Sequence, residues 1–122
     1  MPAAVEFLSE VITDQGMIAT ERLAEVLRVT KTELAMATGL SRDAVSKQTR
    51  LRSRHTQARL RDTVEIINRV TPWTGSVGRA FAWFRSQPLP SFGDKTAEDL
   101  VKEGRVQAVK DYLSRIAEGG YA

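Results

Sequence analysis

The chain has no cysteine among its 122 residues. Disulfides and thiolate metal sites are therefore excluded, and a reducing cytoplasm is the expected setting. There is one histidine, His55, set among arginines. It has no partner for a metal site or a catalytic triad and reads as a polar surface residue. No nucleophile stands with a base, no pair of carboxylates survives a helical reading, and no phosphate loop is present, so an enzyme, a cofactor and a resident metal are not expected. No stretch approaches the ~18 apolar residues of a membrane span. The start, Met1 to Glu6, lacks the basic flank and apolar run of a signal peptide. Apolar and polar residues nowhere alternate over a useful length, so strands are not expected either. Internal repeats and low-complexity tracts are missing.

Apolar residues make up 42% of the chain and charged residues 27%, enough for a packed interior beneath a solvated surface. The length fits one domain or two very small ones sharing a core. The net charge is only +3, but it is unevenly placed. From Arg42 to Arg61 there are seven cations and one acid, Asp43, so that this segment carries six net positive charges and the remainder three net negative. Such asymmetry is the electrostatic footprint of a protein that contacts a polyanion.

The periodicity is helical throughout. Val5, Leu8 and Ile12, joined by Phe7 and Val11, predict a first helix, stopped at Asp14-Gln15-Gly16. Thr20 reads as the cap of a second, with Leu23, Val26 and Leu27 on one face. Thr30-Lys31-Thr32-Glu33 is a capping box opening a short helix, Lys31 to Thr38, that Gly39 breaks. Ser41 caps the next, from Arg42 to about Arg50. After a basic connector, a helix from about Thr56 to Val70 carries Leu60, Val64, Ile67 and Val70 inward, and Thr71-Pro72 stops it. A helix over Ser76 to Ser86 is rich in aromatics, with Trp83 and Phe84 as core anchors. Thr96 caps a short helix ending at Gly104. The last, about Arg105 to Glu118, presents Val106, Val109, Leu113 and Ile116, and Gly119-Gly120 ends it. The expected fold class is all-α.

Thr30 to Gln48 meets the requirements of a DNA-binding helix-turn-helix. Ala35 is small where the helices touch, Gly39 takes the turn, and Leu34, Leu40 and Val45 pin the pair to the core. Gln48 departs, since an apolar residue is usual there, and Leu51 is expected to supply that packing. In such a unit the start of the second helix faces the bases. Ser41, Arg42, Asp43, Ser46 and Lys47 hold that place, and Arg50, Arg52 and Arg54 add phosphate contacts. One unit binds weakly, so a dimer on two half-sites is expected. A plain dimeric repressor satisfies these features alone.

The order Gly39-Leu40-Ser41, the Leu60-to-Val70 helix, Ala82-Trp83-Phe84, Pro88-Leu89, Phe92-Gly93, Thr96 through Leu100, Gly104 and Gly120-Tyr121 resembles antitoxins of the Xre/MbcA/ParS type, over about Thr30 to Ala122. The family often has proline after the threonine capping the short helix, where this chain has Ala97. The resemblance implies two parts. Residues 1–55 would be a helical region with an Xre-like unit that binds operator DNA and represses the chain's own operon. Residues 56–122 would be a toxin-binding and dimerisation domain. The implied partner is a RES-domain toxin, which consumes NAD or transfers ADP-ribose from it, in a hetero-oligomer whose antitoxin covers the active-site cleft. The stiff loop with Leu89, Pro90 and Phe92 is placed for such contact. So is the last helix and tail, with Lys110, Tyr112, Arg115, Glu118 and Tyr121, a mixture common in binding hot spots.

Overall fold

A computed structural model of the chain describes residues 3–119. Its elements follow in the order α1 (Ala3–Val11), α2 (Thr20–Leu27), α3 (Lys31–Thr38), α4 (Arg42–Ser46), α5 (Gln48–Leu51), α6 (Arg54–Thr74), α7 (Val77–Ser86), α8 (Ala97–Lys102) and α9 (Val106–Ala117), with a 3-10 turn at Pro90–Phe92. The fold class is all-α. Among the described residues no strand occurs, only isolated antiparallel bridges between Ile12 and Ile18 and between Leu89 and Lys95. No helix among them is long and apolar enough to cross a membrane.

Helix α6 is the spine. Leu60, Val64, Ile66, Ile67 and Val70 are buried along its 21 residues, and it packs against α1, α3, α5, α7 and α9. Apolar side chains from Phe7 in α1 to Leu113 in α9 join in one cluster. Burying each large one contributes about 1.5–3 kcal/mol. Helix α2 also touches α7, and α3 touches α8. The parts before and after residue 55 therefore share a single interior.

Local capping set most boundaries. The Thr30 hydroxyl accepts from Glu33 N at 3.0 Å, and the Glu33 carboxylate accepts from Thr30 N at 3.2 Å. Thr96 and Asp99 repeat the device at α8. Ser41, Ser53 and Ser76 cap α4, α6 and α7. Gly39 ends α3 at φ +70, a left-handed backbone that an L side chain adopts only under strain.

Four local expectations are corrected. Gly16 does not stop a helix. It sits at φ +79 in the turn that lets Ile12 bridge to Ile18. Thr20 is not a cap. Its hydroxyl is buried and donates to Val45 O at 2.8 Å, so tertiary contact draws it inward, and α2 is preceded by Ala19. The segment after Ser41 does not run unbroken to Arg50, because Lys47 is extended (φ −91, ψ 126) and divides α4 from α5. Pro72 does not end α6, which continues to Thr74 and closes at Gly75. Proline there removes one hydrogen bond near the helix end, a local cost that the burial of Val70 and Thr71 beside it outweighs. Thr71 and Thr74 hydroxyls also donate back to Ile67 O and Val70 O.

Candidate functional site

Two surfaces carry the residues singled out from the sequence. The first is formed by α3, α4, α5 and the start of α6. Ser41, Arg42, Asp43 and Lys47 are exposed, and Ser46 is half-buried. They do come together, and they hold one another. Arg42 Nε donates to Thr32 Oγ1 at 2.8 Å, its Nη1 donates to the Ser46 hydroxyl, and Lys47 lies 3.6 Å from the Asp43 carboxylate. Arg50, Arg52 and Arg54 are exposed along the following turn. Leu51, at 8% exposure, supplies the packing that Gln48, exposed, does not. A shallow concavity of about 410 Å³ lies here, among Ser41, Arg50, Ser53 and His55. Not all of the basic run is free for a partner. Arg59 is half-buried and donates to Thr38 O at 2.8 Å, and Arg61 donates to Gly16 O at 3.3 Å.

The second surface is built by α7, the loop after it, and α9. Here the structure sorts the expected residues. Leu89 is 1% exposed and fixes the loop from beneath, where its N–H donates to Lys95 O. Tyr112 is buried at 4%, with its ring edge-on to Phe92 at 6.0 Å, and burial pushes its hydroxyl above the ordinary tyrosine range. Lys110 turns toward α6, 3.0 Å from Asp62 and 3.3 Å from Glu65. Burial works against its charge, yet those two carboxylates outweigh burial and hold its pKa above the usual lysine value. Leu89, Tyr112 and Lys110 therefore support the surface more than they present it. Pro90, Arg115 and Glu118 are exposed and Phe92 is half-buried beneath Arg105. Arg115 lies over the Tyr112 ring at 5.9 Å. Tyr121 is outside the described residues.

Residues 69–119 match the family model described as the antitoxin Xre/MbcA/ParS C-terminal toxin-binding domain. That segment, less than half of the chain, is similar to the toxin-binding domain of Xre/MbcA/ParS-type antitoxins. The match supports an antitoxin role in general, with a toxin as the class of partner. No curated protein and no solved structure matches the chain.

Within the matched segment, the structure shows a feature that the sequence pattern hides. A groove of about 360 Å³ opens between the last turn of α6, α7 and α9, with Val70, Trp73, Trp83, Pro88, Tyr112 and Ile116 among its lining. Trp73 is 50% exposed. The signal for it was the spacing Val70-Trp73, i to i+3 on one helix face, masked by taking Pro72 as a stop. At the other side of α7, Glu98 is buried and joins Arg85 at 2.8 Å and Lys102 at 3.2 Å. This ties α7 to α8 and so fixes the loop between them.

Proposed function

We propose that the chain neutralises a RES-domain toxin by covering its NAD-consuming or ADP-ribosylating active site, and that it represses its own operon through α3 and α4 acting as a helix-turn-helix. The observation that carries this reading is the toxin-binding domain over residues 69–119, built on the same interior as a helix pair followed by a basic turn, with Arg42, Lys47, Arg50, Arg52 and Arg54 all exposed. The RES class of the toxin follows from the sequence resemblance. The functional division falls near residue 55, with DNA read by Ser41, Arg42, Asp43, Ser46 and Lys47 and phosphates met by Arg50, Arg52 and Arg54. Pro90, Phe92, Arg115, Glu118 and Tyr121 face the toxin. The protein works as a homodimer on DNA and as a hetero-oligomer with toxin.

Coexpression with the product of the adjoining reading frame tests both halves. The expected result is a stable complex of defined mass, loss of NAD consumption by the companion protein when this chain is present, and retarded migration of the operon's promoter fragment. A companion protein that stays active and unbound in its presence would end the antitoxin half of the reading.

A further inference from the structure

The groove between α6, α7 and α9 is a large concavity of the second surface and is apolar in character. In a chain with 27% charged residues, none of the nine residues that line it is charged. Its rim holds Trp73, half in water, and Pro90, exposed, while its floor is closed by Val70, Tyr112 and Ile116. A half-exposed tryptophan continuous with an apolar groove forms a contiguous apolar patch of the kind that marks an interaction surface. The walls are stiff. Pro88 and Pro90 restrict the loop, the Leu89–Lys95 bridge closes it, and the Glu98 clamp fixes α7 against α8. Such a surface loses little conformational freedom when a partner enters. Every lining residue, from Val70 to Ile116, falls inside the segment matched as toxin-binding.

We propose that this groove receives a bulky apolar side chain of the toxin, with Trp73 as the main anchor and Arg115, held over Tyr112 at the groove's edge, pairing with a carboxylate beside that side chain. This rests on the antitoxin reading and adds to it a contact region that reaches back from the loop onto α6. The occupant is taken to be the toxin and not a second copy because all of the lining falls within the segment matched as toxin-binding.

The chain's only two tryptophans, Trp73 and Trp83, both line the groove, so intrinsic fluorescence reports on this place alone when the companion lacks tryptophan or is labelled with a non-emitting analogue. The full chain is titrated with the purified companion protein from the adjoining frame. Expected are a blue shift of emission on binding and a loss of affinity of about thirtyfold or more in Trp73→Ala, as for a truncated aromatic hot spot. Pro90→Asp, an exposed position on the same rim, is the second variant, and both are checked for native helical circular dichroism. A complex with unshifted emission and undiminished affinity in both variants would overturn the groove while leaving the antitoxin reading intact. A blue shift produced by raising the concentration of this chain alone, abolished with its dimer in Trp73→Ala, would overturn it in favour of a second copy. Failure of the unmodified chain to bind the companion at all would overturn both.

Discussion

Gly39 and Lys102 pack closely: a Cβ placed on Gly39 would fall 3.2 Å from Lys102 Cα and 3.1 Å from its Cγ. The turn between α3 and α4 therefore rests directly on α8, within the segment matched as toxin-binding. Gly104 makes a natural control, since it also has positive φ (+80) but open space around it. Both Gly→Ala substitutions meet the left-handed backbone cost of about 1–2 kcal/mol. Only Gly39→Ala must also displace Lys102 of α8 and the Arg59 guanidinium, 3.0 Å from the added Cβ. Gly39→Ala is expected to destabilise the fold by about 1 kcal/mol more than Gly104→Ala in urea unfolding. Equal losses would mean that the packing between the two parts yields freely.

The basic face divides into arginines that face water and arginines that hold the fold. Arg50, Arg52 and Arg54 are exposed. Replacing all three with alanine should flatten the salt dependence of promoter binding by a slope of about 2–3, near 0.9 for each phosphate no longer neutralised, with folding stability little changed. Arg59→Met should do the reverse. It removes the bond to Thr38 O at 2.8 Å and should lower stability by about 1.5–3 kcal/mol with a smaller effect on the salt slope. Titrations at several salt concentrations, beside urea melts, separate the two outcomes. If the triple variant keeps the full slope, the phosphate track lies elsewhere.

Much of the fold was legible because its signals are local. The capping boxes at Thr30 and Thr96, the Ser41 cap and the Gly39 turn each depend on residues three or four apart, and the structure keeps them. What was not legible depended on tertiary contact. Thr20 looks like a cap until Val45 O is brought beside it. Thr71-Pro72 looks like a stop until the burial of Val70 and Thr71 carries the helix past it. The candidate site suffered the same way. Leu89, Lys110 and Tyr112 have the composition of a contact surface, yet partners outside their own helical turn draw them inward: Lys95 O, Asp62 and Phe92. Trp73 stays hidden in the sequence because the helix that aims it is expected to end before it.

Asp99 gives the start of α8 a dependence on acid. Its carboxylate accepts from Thr96 N at 3.0 Å, and that backbone bond, with the Thr96 hydroxyl and nearby Lys102 and Lys95, holds its pKa below the ordinary 3.8 in spite of slight burial. The folded value lies below the unfolded one, so the stability from the capping box is fully present above the unfolded pKa. It is lost as pH falls through the lowered folded value. Thermal melts taken from neutral pH to below about 4 should show this loss in the unmodified chain, and Asp99→Asn should remove this component of the slope. An identical pH profile in the variant would assign the acid sensitivity to other carboxylates.

Gln57 fastens the amino-terminal bridge to the end of α5. It is buried, accepts from Ile18 N at 2.8 Å, and donates from Nε2 to Leu51 O at 3.0 Å and Ile18 O at 3.3 Å. One amide thus serves an acceptor and two donor roles that no other side chain of its size supplies. Gln57→Leu keeps the volume but strands the Ile18 N–H and both carbonyls, and should cost about 2–3 kcal/mol. Gln57→Glu should cost more at neutral pH, because a carboxylate still accepts from Ile18 N but has no proton to offer, and it places negative charge against two carbonyl oxygens in the interior. Lowering the pH protonates that carboxyl and restores one donor, so the gap between the Glu and Leu variants should narrow or invert as the solution is acidified. Chemical denaturation of both variants at neutral and acidic pH checks the argument. If the Glu variant is the more stable of the two at neutral pH, the Leu51 and Ile18 carbonyls do not need this amide.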